Sequence, residues 1–222
     1  MPSSAVRTST DPDEYFAGIR NLPIEGLVLQ RGEFRAESTH IDLPRLLMYR
    51  ADENLPRIMR VTPSGTRAGI VFATDSGQPV MLLNGIEITG GQISRTGLDW
   101  EWYLRSSAPC KWGSMSLTPE GLAAAGEAII GRELLPATFA RTLAPPPPAM
   151  SRLRKLHGAA AHLAKTAPDI LAKPGGSASA GTGVGGSNGF LPAGYAFQGG
   201  AQRPTPSCES DGAPRRGVDG EP

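Results

Sequence analysis

Residues 80–88 read VMLLNGIEI, two short apolar runs on either side of Asn84-Gly85. Asn and Gly accept the left-handed backbone that a type I′ turn requires, and this turn matches the twist of paired strands. The stretch therefore predicts a β-hairpin with strands over Val80–Leu83 and Ile86–Ile88. Because an isolated hairpin is barely stable in water, it needs further strands to bury its apolar face.

Further short strands are predicted on both sides of the hairpin. Residues 99–105 read DWEWYLR, which places Trp100, Trp102 and Leu104 on one face of a strand because successive side chains alternate. The other candidates, each bounded by turn residues, are Gly26–Arg31, Glu33–Ser38, Arg45–Arg50, Arg57–Val61, Gly69–Thr74 and Lys111–Leu117. Short strands at close intervals indicate a β-barrel or sandwich, so the predicted fold class is mainly β with α.

Capping residues mark where helices begin. Asp11 followed by Pro12 predicts a short helix with Tyr15, Phe16 and Ile19 as its apolar face. The change from strand to helix is predicted at Thr118-Pro119, again a capping residue followed by proline.

The first long helix is expected to end at Gly131, and a proline run follows it later in the chain. Pro145 to Pro148 predict a stiff extended spacer. A second long helix is then predicted from Met150 onward, because apolar residues recur there at intervals of three and four.

Composition divides the 222 residues into four parts. Residues 1–10 are small and polar, and we predict a disordered leader there. A β-rich domain is expected over 11–118 and a helical segment over 119–173. Residues 175–222 are rich in Gly, Ser, Ala and Pro and contain too little apolar surface to offset the entropy of ordering, so we predict a disordered tail.

Charge and cysteine content argue against several classes of protein. Lys and Arg number 22 against 21 Asp and Glu, and the basic residues are scattered, unlike those of a chain that grips DNA. Cys110 and Cys208 lie far apart and indicate no disulfide framework. The start has no apolar core of a signal peptide, and no apolar run approaches the ~18–20 residues that span a bilayer. We therefore expect a soluble cytoplasmic protein with no membrane partner.

Several stretches resemble the N-terminal half of AraC-family transcription regulators of bacteria. They are residues 11–15 (DPDEY), 31–37 (RGEFRAE), 41–43 (IDL), 55–58 (LPRI), 77–79 (GQP), 84–85 (NG) and 112–117 (WGSMSL). The resemblance covers residues 11–173. It implies a cupin-like, effector-sensing domain over 11–118 and a helical linker or dimerisation segment over 119–173. The partners that it implies are a small-molecule effector and a second subunit, in a homodimer or in a mixed dimer with an intact relative.

The chain departs from the family after residue 173. The family's helix-turn-helix domain needs about 100 further residues of amphipathic helices with basic, groove-facing side chains. Residues 175–222 are too few and have a different composition, so we expect the DNA-binding domain to be missing and DNA to be contacted only through it. A shifted reading frame or truncated gene explains this departure, a natural flexible tail is the alternative, and a non-functional truncated product stays open.

The sequence contains few side chains that could serve as metal ligands or catalytic groups. Metal-dependent cupins use several histidines and a glutamate, whereas this chain has only His40, His157 and His162 and no His-x-His pair. We expect the last two to be exposed or boundary residues on a helix and His40 to lie in a turn. Cys110 has no evident activating base, so we expect it to be buried packing. We predict no catalytic residue, no metal and no cofactor; the alternative function is a cupin-fold small-molecule enzyme.

The interior of the β-rich domain is the candidate ligand site. Ligand cavities in β-barrels are mostly apolar with a few convergent polar groups. The residues expected to line such a cavity are Phe72, Met81, Trp100, Trp102 and Trp112, together with Met115. The alternative is that they only fill the core. Arg57 and Arg60 are candidates for holding an acidic ligand, or else they form solvent-exposed salt bridges.

The second long helix carries the partner hypothesis. Its apolar stripe consists of Leu153, Leu156, Ala160 and Leu163. Such a stripe packs either on the β-rich domain or on the same helix of another copy. In the AraC family this region often mediates dimerisation, so the resemblance implies that the stripe is a dimerisation surface.

Overall fold

The computed structural model describes residues 2–19, 23–63, 65–98 and 101–172. Within these residues the strands are β1 (Ser3–Ser9), β2 (Ile24–Val28), β3 (Ala36–Asp42), β4 (Leu46–Glu53), β5 (Arg57–Val61), β6 (Ala68–Ala73), β7 (Met81–Leu83), β8 (Ile86–Ile88), β9 (Ile93–Thr96), β10 (Trp102–Ser106), β11 (Cys110–Leu117) and β12 (Arg141–Leu143). The helices are α1 (Pro12–Ala17), α2 (Pro119–Ile130), α3 (Pro147–Thr166) and α4 (Pro168–Ala172). The predicted tail over 175–222 lies outside the described residues.

The strands form two antiparallel sheets. The larger sheet has the order β1-β3-β4-β11-β6-β9-β12 and the smaller one β2-β5-β10-β7-β8. Their facing sides share one buried apolar cluster, to which Tyr49 and Trp112 contribute from the larger sheet and Met59 and Leu104 from the smaller. The prediction of a mainly β fold followed by helices is confirmed, and the arrangement is a sandwich.

The hairpin predicted from residues 80–88 is present. β7 pairs antiparallel with β8, with Leu83 opposite Ile86. Asn84 has φ 50° and Gly85 has φ 80°, so both central residues adopt the left-handed backbone of the predicted turn. Met81 and Leu83 are buried while Asn84 is exposed, which directs the apolar face of the hairpin into the core.

The N-terminal residues are ordered as a strand, so the prediction of a disordered leader over 1–10 is wrong. β1 pairs with β3 along its whole length, from Ser3 opposite Asp42 to Ser9 opposite Ala36. It lies at the edge of the larger sheet, where β3 supplies backbone hydrogen bonds that a polar sequence can accept as well as an apolar one. Val6 adds an apolar contact to the cluster beneath the C-terminal helices.

The capped helix starts are confirmed. The Asp11 carboxylate accepts hydrogen bonds from the backbone N–H of Asp13 and Glu14 at the start of α1. Thr118 accepts from the Gly121 N–H at the start of α2, and Gly131 ends that helix with φ 69°.

The second long helix begins earlier than predicted. α3 starts at Pro147, so the extended spacer is shorter than Pro145 to Pro148. The reason is that proline is well tolerated in the first turn of a helix, where its missing N–H would have no partner anyway. None of the helices in the described part of the chain has the length and apolar character that crossing a membrane requires.

Different elements pack on the two faces of the larger sheet. The inner face meets the smaller sheet, and α3 and α4 lie on the outer face. Met150 and Leu153 of α3 pack against Phe72, while Ala161 and Ala164 pack with Ile41 and Met48. The larger sheet is therefore a wall between the sandwich interior and the C-terminal helices.

Candidate functional site

A cavity of about 60 Å³ lies between the two sheets. It is at the end of the sandwich where β4 begins and β11 finishes, and we call this the cavity end. Its apolar lining includes Ile19, Ile24, Leu47, Val71, Trp102 and Trp112, and its polar lining includes His40, Tyr49, Arg67, Thr96, Ser114 and Ser116. The mixture of aromatic walls and a few polar groups is typical of a small-molecule site.

Two of the five predicted ligand residues, Trp102 and Trp112, line this cavity, and so does Met115, which is expected to accompany them. Phe72 does not, because its side chain is directed to the outer face of the larger sheet, where it packs under α3. Met81 is fully buried in the core cluster and is also absent from the lining. Trp100 lies outside the described residues. The reason lies in strand alternation: that of β10 and β11 directs two tryptophans inward, while that of β6 directs Phe72 outward.

The polar lining residues were missed by the sequence prediction. Ser114 and Ser116 alternate in phase with Trp112 on β11, so that pattern already placed them on the inner face. His40 lies in β3 and not in the predicted turn, and it is buried. Arg67 immediately precedes β6, and no short-range signal marks it.

Arg67 is the cationic group of the cavity end. Its Nε donates to Ser116 Oγ at 3.1 Å and its Nη2 to the Ser116 carbonyl at 2.9 Å. A longer hydrogen bond, 3.4 Å, joins Nη2 to the Arg45 carbonyl. Partial burial lowers the pKa of Arg67, and the charge of Asp42 partly opposes that effect. The guanidinium is thus held by neutral oxygens at the rim of an aromatic cavity.

The opposite end of the sandwich is filled by a buried polar cluster, and we call it the closed end. Glu53 and Arg57 are both fully buried and form an ion pair with 2.9 Å between Nε and Oε2. Glu53 Oε1 accepts from Tyr15 Oη at 2.5 Å and from Trp112 Nε1 at 2.8 Å. The thiol of Cys110 donates to Oε2 at 3.2 Å. Every polar atom of the carboxylate is therefore bonded within the chain.

The closed end supports structure and not catalysis. Burial raises the pKa of the Cys110 thiol to about 12, with a further contribution from Glu53, so the reactive thiolate is disfavoured. The predicted packing role of Cys110 agrees with its burial. Arg57 also donates to the Leu104 carbonyl at 2.8 Å. Of the two arginines considered for an acidic ligand, Arg57 is thus internally paired, and Arg60 forms exposed salt bridges with Glu25 and Glu101.

Behind the cavity wall, the side chain of His157 connects α3 to the larger sheet. The ring is buried, contrary to the prediction of an exposed or boundary position. Its Nε2 lies 3.2 Å from the Tyr49 carbonyl and its Nδ1 lies 3.5 Å from Arg50 Nη1. The ring occupies the space above Gly113, where an added Cβ would approach His157 Cε1 to 2.7 Å. Burial lowers the pKa of His157 to about 4, with Arg50 as a second cause.

The predicted dimerisation stripe is partly used inside the chain. Leu153 is buried against Phe72, and Ala160 and Leu163 pack in part on the Ile41 cluster. Leu156, Ala160 and Leu163 all retain intermediate exposure. Packing on the chain's own sheet was one of the two alternatives for this stripe, and it accounts for much of its apolar area.

Among the residues that the structure describes, no group of three or more His, Cys, Asp or Glu side chains is placed to hold a metal ion. His40, His157 and His162 lie on β3 and α3, and His157 is already engaged with Tyr49 and Arg50.

Comparison with known proteins finds a likeness in structure but none in sequence. No family model matches the chain, and no curated protein matches it in sequence. In structure the chain is similar to the AraC-like transcriptional activator CuxR, with a TM-score of 0.54. The two are 13% identical, and the match covers 82% of this chain and 68% of that one. At this identity the likeness shows the fold alone, and it supports an AraC-like fold.

Proposed function

We propose that this chain is a regulatory, ligand-sensing module of the kind that AraC-type transcription regulators carry, and that it is not an enzyme. The fold similarity to an AraC-like activator supports this proposal. The observation that carries it is the position of the cavity. β4 and β11 wall the cavity on one face, and on the other face they hold α3, in the region where the family has its linker.

The route from cavity to helix consists of direct contacts. Tyr49 and Trp112 line the cavity and their rings are 5.1 Å apart. On the other side of the same backbone, His157 bonds the Tyr49 carbonyl and fills the space above Gly113. A ligand that displaces the Tyr49 ring therefore acts on the contact between β4 and α3. It shifts the helix between two positions if it binds one of them more tightly.

A screen of metabolites by thermal shift tests the proposal. A compound that binds the folded chain raises its melting temperature. Ser114→Leu adds apolar atoms inside the cavity, so we expect it to abolish the shift while the protein remains folded. Ser107→Leu, at an exposed position outside the cavity, is the matched control and should leave the shift unchanged. A compound that stabilises both variants equally binds elsewhere and contradicts the proposal.

We also propose self-association through the part of the stripe that remains accessible, Leu156, Ala160 and Leu163. The partner is a second copy or an intact relative. Leu156→Glu places a charge in that surface and should shift sedimentation equilibrium toward monomer. Ala159→Glu introduces the same charge at an exposed neighbouring position and is the control. A parent chain that sediments as a monomer at all concentrations argues against this part of the proposal.

We propose further that the chain does not bind an operator on its own and acts through such mixed dimers. Its basic residues are balanced by acids and scattered, which gives little attraction for the DNA backbone. A gel-shift assay with the promoter region next to the gene should show no specific complex with the chain alone. A tight complex that survives competitor DNA would overturn this statement.

A further inference from the structure

The cavity end holds the positive charge of Arg67, and the charge of Asp42 acts on it without forming a salt bridge. No carboxylate in the described residues forms a salt bridge with Arg67, whereas Arg57, Arg60, Lys111 and Lys165 each have at least one. Within the described residues, the hydrogen bonds of Arg67 go to Ser116 and Arg45 from Nε and Nη2. A half-buried guanidinium of this kind favours an anion, because charge-assisted bonds to a carboxylate are about twice as strong as neutral ones.

The rest of the lining suits the apolar part of such an anion. Trp102, Trp112 and Val71 contribute to its walls, and Ser114 and Thr96 are among its polar lining residues. The cavity measures about 60 Å³, and a cavity of about 150 Å³ is known to accept benzene. The occupant is therefore expected to have no more non-hydrogen atoms than benzene.

We infer that the cavity binds a small organic carboxylate, with its charged group at Arg67 and a short aliphatic body against Trp102 and Trp112. This inference rests on the proposed function, since it names the chemical class of the effector. It differs from that proposal in requiring charge: a neutral molecule of the same shape lacks the ionic bond to Arg67 and binds much more weakly.

Pairs of acids and their amides test the inference. Acetate, propionate and butyrate are compared with acetamide, propionamide and butyramide by isothermal titration and by tryptophan fluorescence, at matched ionic strength. We expect at least one acid to bind and its amide to bind about tenfold more weakly or not at all. Arg67→Gln should lower the affinity for the acid by a similar factor and leave the amide unaffected.

Two further variants serve as controls. Arg105→Gln removes an exposed arginine from the outer face of the smaller sheet and should bind the acid as the parent does. Arg67→Lys keeps the charge without the planar fork, so it should bind with intermediate affinity. It also replaces Arg67→Gln in the test if that variant does not show a native circular dichroism spectrum.

The outcomes separate this inference from the proposed function. Acid and amide binding equally well, or an Arg67→Gln variant that keeps full affinity for the acid, overturns the inference while the cavity remains a ligand site. Failure of all three acids to bind also overturns it, and the metabolite screen with Ser114→Leu then decides the proposed function by itself.

Discussion

Each end of the sandwich interior holds an arginine, and the two arginines differ in what the chain provides for them. At the closed end, Arg57 is fully buried and its charge is matched by Glu53. At the cavity end, Arg67 is half-buried and its hydrogen bonds to the described part of the chain go to neutral oxygens of Ser116 and Arg45. The same residue type is thus structural where its counter-charge is built in, and available to a ligand where it is not.

Trp112 joins the two ends. Its indole N–H donates to Glu53 in the closed end, and the ring lines the cavity and contacts Tyr49. Its orientation is fixed by a fully buried carboxylate, so the cavity has one rigid wall. A ligand therefore meets a preorganised surface on the Trp112 side. Substitutions at the closed end and at the cavity end should differ in their effect on stability.

The largest effect is expected from breaking the buried ion pair. Arg57→Met leaves Glu53 as an uncompensated buried charge, which should lower the free energy of unfolding by about 3–5 kcal/mol in urea denaturation. Arg60→Met is the matched control: that charge is exposed and screened, so its denaturation midpoint should hardly change. Equal losses from the two variants would contradict the distinction between the closed end and the surface.

The next largest effect is a pH dependence of stability caused by His157, which connects α3 to the larger sheet. His157 has its pKa lowered to about 4 from 6.5, so it stays neutral in the fold while the unfolded chain takes up a proton below pH 6.5. The contribution of His157 to the free energy of unfolding is therefore complete above pH 6.5. It decreases by about 3 kcal/mol as the pH falls from 6.5 to about 4. Arg50, beside Nδ1, acts in the same direction.

Unfolding curves at several pH values measure this loss. The difference between parent and His157→Gln should shrink as the pH falls through that window, because the variant has no proton to bind at this position. His162→Gln removes an exposed histidine of the same helix and should parallel the parent. A pH-independent difference would mean that the His157 ring titrates normally in the fold.

Sequence reasoning succeeds where the deciding residues are neighbours in the chain. The hairpin at Asn84-Gly85 and the helix start at Thr118 depend on residues adjacent in the chain, and both are present as predicted. The inward direction of Trp102 and Trp112 follows from strand alternation, once the strands are recognised. Local conformational preferences and a two-residue period contain that information.

Sequence reasoning fails where the deciding partner is remote. His157 is buried because Gly113, 44 positions earlier, leaves space for its ring, and nothing in the helix pattern indicates such a space. Glu53 is paired by Arg57 nearby, but Tyr15 of α1 and Cys110 and Trp112 of β11 complete its hydrogen bonds from two other elements. β1 has too little apolar character to be recognised, and it exists because β3 offers a free edge.

Removing one hydrogen bond from the closed end should have a moderate effect. Tyr15→Phe deletes the 2.5 Å bond to Glu53 and leaves the Trp112 bond to the same oxygen in place. We expect the free energy of unfolding to fall by about 1–2 kcal/mol. Tyr103→Phe removes a comparable hydroxyl–carboxylate bond, to Glu101 on the exposed face, and should cost clearly less. A larger loss from Tyr103→Phe would place the stabilising network at the surface instead.

The smallest change in stability should come from the second arginine. Arg67→Met loses bonds to Ser116 and Arg45 but breaks no salt bridge of the described residues, so the free energy of unfolding should fall by no more than about 1 kcal/mol. Urea denaturation beside Arg57→Met measures the contrast directly. A loss as large as that of Arg57→Met would show that Arg67 is as structural as its counterpart and would remove the distinction between the two ends. A small loss of stability would mean that the fold depends on Arg57 and not on Arg67. The Arg67 guanidinium would then be available to bind a ligand.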